Sequence, residues 1–214
     1  MIRAFLKRLI PFNFVLLLKE WREKENRKRI QREINNLTKN KIIVNLEIGS
    51  GPKKGTGDWI TLDLCNECDI KYDVRNGIPF ADSSINMLYS SHLLEHFAFK
   101  DLLTLLHECH RVLRINGRFS ACVPDASIYI KEYLKPNITQ FEHIYNSIYP
   151  FNTSIDLINY IAYMNGNHKY MFDRNNIVNI LELIGFKNIK IREFDPSIDN
   201  IDRKWESLYV DAIK

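Results

Sequence analysis

Val44-Asn45-Leu46-Glu47-Ile48-Gly49-Ser50-Gly51, followed by Trp59-Ile60-Thr61-Leu62-Asp63, decides how this chain is read. The first segment is a buried strand closed by a Gly-x-Gly turn, and the second is a strand ending in a carboxylate. Glycine at a strand's carboxyl end lets the backbone approach a ligand, because no Cβ intervenes and positive φ is permitted. A carboxylate at the tip of the neighbouring strand accepts hydrogen bonds from both hydroxyls of a ribose. The pair describes a nucleoside crevice at the carboxyl edge of a parallel sheet.

Outward from this point strands and helices alternate, which predicts an α/β fold with a parallel sheet covered on both faces. Strands are expected at 42–48, 59–63, 86–91, 118–123, 188–194 and 207–213, with a short one near 69–72. Helices are expected at 99–113, 125–134 and 174–184. Asp173 suits the N-cap of the last helix and Gly185 its stop. Asn116-Gly117 reads as the loop before the strand at 118. Only about ten residues separate the first two strands, too few for a helical crossover, so Gly51–Asp58 is expected to be mostly loop. The glycines run Gly-x-Gly-x-x-x-Gly, and without a helix to receive a pyrophosphate they fit a nicotinamide enzyme poorly.

Charge is unevenly spread. Residues 1–40 hold eleven Lys/Arg and four Glu, a net of +7, so the rest carries 4 − 7 = −3. This divides a basic helical extension (1–40) from a slightly acidic domain (41–214), for which nucleic acid is not the obvious partner. Four cysteines suggest reduced thiols in a cytoplasmic setting. The apolar run Ile10–Leu18 is too short to span a bilayer. Residues 1–36, with Ile2, Phe5, Leu6 and Leu9 beside Arg3, Lys7 and Arg8, suit either an anionic membrane interface or packing on the domain or a second subunit as a homodimer. Co-sedimentation with anionic vesicles, lost on deleting residues 1–36, is the result expected of the first reading.

Several ordered motifs carry a family resemblance. Leu46–Gly51, Asp63, Tyr72-Asp73-Val74, Tyr89–His96 and Glu108–Arg118, closed by Val123-Pro124-Asp125, resemble the class I S-adenosylmethionine-dependent methyltransferases. The similarity is greatest to small bacterial members associated with cell-surface polysaccharide synthesis. It implies a three-layer Rossmann-like fold with a seven-stranded, mostly parallel sheet whose last strand is antiparallel. It also implies S-adenosylmethionine as cofactor, S-adenosylhomocysteine as product, no metal, and a saccharide or other small-molecule acceptor methylated on oxygen. A non-catalytic cofactor-binding module is the alternative within the same fold.

The resemblance places Glu47 near the methionine amino group, and Gly49, Ser50 and Gly51 along the methionine portion. Asp63 and Leu64 fall at the ribose, and Asp73 and Val74 at the adenine, although Asp69 and Asp82 compete with Asp73. Ser90 and Ser91 end the fourth strand at the reactive end of the donor. His92, His96, Asp125 and His168 are candidate bases, each as readily structural, with Glu95 read as a surface cap or ion-pair residue. His92-x-x-Glu95-His96 also matches a zinc-peptidase pattern, but no long helix carries it. Cys65-x-x-Cys68 lacks two further ligands at matching spacing. The aromatic-rich segment 136–170 is either a lid over the acceptor or a helical excursion packed on the domain.

Overall fold

The computed structural model describes residues 12–135 and 153–214. They fall into two units divided between Lys41 and Ile42. In the first, helix α1 (Phe12–Thr38) is rich in Leu, Lys, Arg and Glu, all strong helix formers. Its ion pairs lie three or four residues apart, as in Lys28–Glu25 (2.7 Å) and Arg29–Glu33 (2.6 Å). No helix among the described residues is long and apolar enough to cross a membrane.

The second unit is built on strands β1 (Asn45–Ile48), β2 (Trp59–Asp63), β3 (Ile70–Lys71), β4 (Ile85–Ser91), β5 (Leu113–Pro124), β6 (Lys187–Arg192) and β7 (Ser207–Ile213). They form one sheet in the order β3-β2-β1-β4-β5-β7-β6. β7 runs antiparallel to β5 and β6, and the remaining pairs are parallel. The order reverses between β1 and β4, which in an open α/β sheet opens a crevice at the carboxyl ends of those strands.

Helices α2 (Phe99–Val112), α3 (Ala126–Tyr133), α4 (Ile155–Tyr163) and α5 (Arg174–Ile184) complete the unit. α2 buries Leu102, Leu105, Leu106, Cys109 and Val112, a stripe at helical spacing. Leu46, Ile48, Ile60, Leu62, Ile85 and Leu88 are wholly buried in the central strands. Each such side chain contributes about 1.5–3 kcal/mol through removal from water. As the sequence predicts, the Asp173 carboxylate accepts the Asn176 N–H, and Gly185 closes α5 at φ +108°.

Some boundaries differ from expectation. β1 begins at Asn45, opposite Trp59, the first residue of β2; Ile42 and Ile43 lack strand partners and are 89% and 44% exposed. β5 starts at Leu113, not 118. Ile85 pairs with Leu113 but Met87 with Arg118, so Arg114–Gly117 form a bulge inside the strand, with Asn116 at φ +62°. β6 stops at Arg192.

Of the 136–170 segment, residues 136–152 lie outside the described part. The remainder supplies α4, which buries Leu157 and Ile161 against Ala126 and Tyr129 of α3. Tyr160 meets Tyr129 at 5.9 Å between ring centroids. Tyr160 thus packs on the domain, whereas Tyr163 is 62% exposed.

Candidate functional site

The turn after β1 places Gly49 and Gly51 at φ +67°. A Cβ on Gly49 would stand 2.9 Å from the Leu93 side chain, so close approach and backbone conformation both require glycine here. Gly49→Ala is expected to destabilise the domain by about 1–2 kcal/mol from backbone conformation alone, measured by urea unfolding; wild-type stability would remove this argument.

Asp63 ends β2 and clasps two loops. Its Oδ2 accepts the Gly51 N–H (3.0 Å), and its Oδ1 accepts the Cys65 N–H (3.0 Å). An ionised carboxylate offers about four acceptor positions, so two remain for a ligand. The Cys65 and Cys68 thiols donate to backbone carbonyls, Cys65 to Gly51 at 3.0 Å and Cys68 to Ile70 at 3.2 Å. Beyond β3, Asp73 caps a short turn and pairs with Arg75 at 2.6 Å, and this guanidinium holds its carboxyl below the usual range. Its sequence competitors are committed elsewhere. Asp69 accepts the Gly55 and Thr61 N–H groups, and Asp82 pairs with Arg111.

Two cavities meet at Gly49. One, about 310 Å³, is walled by Leu62, Asp63, Leu64, Asp73, Val74 and Phe97. The other, about 430 Å³, is walled by Glu47, Gly51, Tyr89, Ser91, His92 and Arg203, with Ser50 on its rim. Glu47 is buried within 2.7 Å of Lys53 Nζ; burial raises its pKa and the ammonium partly offsets that. Ser90 is fully buried and lines neither cavity.

The candidate bases separate. Asp125 caps α3 by accepting the Ser127 N–H at 2.9 Å, and it lines neither cavity. His92 lies on the second cavity at φ +49°, with Nε2 2.8 Å from Ser207 Oγ. That hydroxyl donates to the Arg203 carbonyl, so Nε2 must carry the proton. His92 Nδ1 faces Glu95 Oε1 at 3.6 Å. Burial lowers the His92 pKa to about 3, leaving the ring neutral. His96 lines the first cavity, and His168 is buried with its Nδ1 2.9 Å from the Ile161 carbonyl. The His96 and His168 ring centroids are 5.2 Å apart.

Glu95 overturns its expected surface position. It is 1% exposed, neither carboxylate oxygen has a hydrogen-bond partner, and burial pushes its pKa up to about 8. Its carbonyl accepts the Lys169 and Tyr170 N–H groups, which draws the distant His168 segment over it.

Sequence reasoning also missed the support behind the second cavity. The Tyr89 hydroxyl donates to Asp199 (2.8 Å), which is gripped by Arg192 from β6 at 2.5 and 2.8 Å. The available signal was the turn-like run Asp195-Pro196-Ser197-Ile198-Asp199 immediately after a strand bearing an arginine.

Residues 47–121 match the family model described as a methyltransferase domain. No curated protein matches the chain at a significant level. Among solved structures, a Mesorhizobium loti S-adenosylmethionine-dependent methyltransferase is similar at 17% identity and TM-score 0.50, over 80% of this chain and 91% of its own. An Archaeoglobus fulgidus S-adenosylmethionine-dependent methyltransferase is 16% identical at TM-score 0.49, over 94% of this chain and 99% of its own. A Haemonchus contortus phosphoethanolamine N-methyltransferase 2, solved with S-adenosyl-L-methionine, is 11% identical at TM-score 0.49, over 86% of this chain and 52% of its own. The Mesorhizobium loti likeness speaks to the fold, and the family model speaks to the domain. With the 3-2-1-4-5-7-6 sheet and a glycine turn between two cavities, they mark residues 47–121 as similar to a methyltransferase domain, set in a fold like that of the Mesorhizobium loti S-adenosylmethionine-dependent methyltransferase.

Proposed function

We propose that this enzyme methylates an oxygen of a cell-envelope sugar or a related small polar metabolite. S-adenosylmethionine would lie across Gly49, its ribose on Asp63 and its adenine between Leu64 and Val74, with the amino group toward Asp73. Its methionine portion would follow Gly49, Ser50 and Gly51 to Glu47. That pose sends the methyl group toward Ser91 and His92.

The observation that carries the acceptor class is the wall of the second cavity. Glu47, Lys53, Ser91, Asp199, Asn200 and Arg203 surround it with donors and acceptors, which suits a polyhydroxyl compound. Transfer is an in-line displacement, so alignment of acceptor oxygen, methyl and sulfur supplies most of the acceleration. The His92 Nε2–H is committed to Ser207, so the histidine orders the acceptor wall, and its Nδ1 lone pair makes it the candidate base on that wall. His96 and His168 face Glu95, and Asp125 serves α3.

The test is transfer of radiolabelled methyl from S-adenosylmethionine to a fractionated cell extract and to purified nucleotide sugars. Label is expected in base-stable, acid-released sugar. Label confined to protein, or to nitrogen-containing acceptors, would sink the oxygen-of-sugar reading; no transfer to any fraction would favour a binding module.

A further inference from the structure

We propose that Glu95, His96 and His168 bind a first-row divalent transition-metal ion, zinc foremost, in a structural site beside the nucleoside cavity. One ligand atom from each of the three lies within 4.8 Å of the others, and no other such trio occurs among the described residues. His96 Nε2 is 4.0 Å from Glu95 Oε1. Tetrahedral zinc with ligands at about 2.1 Å needs ligand atoms about 3.4 Å apart, so the side chains must draw in by up to about 1.4 Å.

Two independent features point to an ion. The first is the Glu95 carboxylate, almost wholly buried with both oxygens unpartnered, an arrangement that is costly unless something positive or donating occupies the space. The second is the histidine tautomers. His96 Nδ1 lies 3.0 Å from the Asn167 carbonyl and His168 Nδ1 lies 2.9 Å from the Ile161 carbonyl. A carbonyl only accepts, so each Nδ1 carries hydrogen and each Nε2 keeps its lone pair; this is the orientation that backbone carbonyls impose on metal-binding histidines.

The donor set selects the ion. Two imidazoles and one carboxylate suit zinc or a neighbouring first-row ion, whereas calcium and magnesium prefer all-oxygen shells. This assignment differs from the peptidase pattern, in which His92 and His96 would be ligands and Glu95 the base. His92 instead sits across the carboxylate, on the acceptor side. The ion would tie the chain after β4 to the segment ahead of α5, and both contribute to the nucleoside cavity through His96, Phe97 and Lys169. It takes no part in methyl transfer.

The experiment uses the untagged full chain, stripped with EDTA and titrated with zinc chloride or cobalt chloride, with bound metal measured by mass spectrometry. One zinc per chain is expected, with a raised melting temperature, and cobalt should show visible ligand-field absorption. Glu95→Gln and His168→Ala should each weaken zinc binding about 100-fold or more, while the His107→Ala/His110→Ala double variant retains it. If a variant fails to fold, imidazole NMR of the wild type decides: zinc should shift the His96 and His168 signals and leave His107 and His110 in place. No retained zinc in the wild type, or unshifted His96 and His168 signals, overturns the proposal. So does unchanged binding in folded Glu95→Gln and His168→Ala. Calorimetry with S-adenosylmethionine on the same samples keeps the readings apart, since lost cofactor binding with zinc uptake intact counts against the cofactor pose alone.

Discussion

Asp63→Ala is expected to weaken S-adenosylmethionine binding about 100-fold while leaving the sheet folded. Two losses combine in that variant. The proposed ribose hydroxyls lose a charged acceptor, and hydrogen bonds to charged groups contribute about 1.5–3 kcal/mol each. The Gly51 and Cys65 N–H groups also lose the carboxylate that clasps the two ligand loops, so the free protein would hold its glycine turn less firmly. A 100-fold change corresponds to about 2.8 kcal/mol, which one such bond plus partial loosening supplies. Asp63→Asn keeps one oxygen and should fall between, near tenfold. Calorimetry with circular dichroism on the same samples separates affinity from unfolding. Wild-type affinity in a folded Asp63→Ala protein would mean that the ribose lies elsewhere.

What the sequence disclosed, and what it did not, follows from how far each determinant reaches along the chain. The glycine turn and Asp63 were legible because strand, turn and neighbouring strand lie within twenty residues, and each requirement falls on a residue type that states it. Asp173 and Gly185 were legible for the same local reason. Glu95 was not. An acid followed by histidine just past a strand looks like surface, and only the Lys169 and Tyr170 N–H groups, more than seventy residues later, cover it. Ile42 and Ile43 look like strand because they are β-branched, yet β2 begins only at Trp59, opposite Asn45, and leaves them nothing to pair with on that side. The start of β5 was misread because a bulge absorbs Asn116-Gly117 within a strand, and no local rule distinguishes that from a loop. The divided candidate bases show the same limit: Asp125 and His92 are equally suggestive in sequence, and only the cavity walls separate them.

The largest expected effect on stability belongs to Asp199→Ala. Its carboxylate is fully buried and accepts four hydrogen bonds, two from Arg192, one from the Tyr89 hydroxyl and one from the Asp195 N–H at 2.7 Å. Removing one partner of a buried ion pair leaves the other charge uncompensated, which costs about 3–5 kcal/mol. Here Arg192 keeps Asp211 at 3.1 Å and the face of Tyr209 at 4.9 Å, so the lower half of that range is expected, with a melting temperature reduced by roughly 10 °C. Replacing the pair together, as Arg192→Met with Asp199→Leu, should recover part of the loss, because two apolar side chains leave no stranded charge. Function should fail in a particular way as well. Asp199 fastens the 195–200 turn against Tyr89 on the acceptor wall, whereas the proposed cofactor contacts come from β1, β2 and the turns that follow them. KM for the acceptor should therefore rise in Asp199→Ala while S-adenosylmethionine affinity stays near wild type. A loss below about 1 kcal/mol, or a cofactor defect as large as the acceptor defect, would show that this network does not serve the acceptor wall.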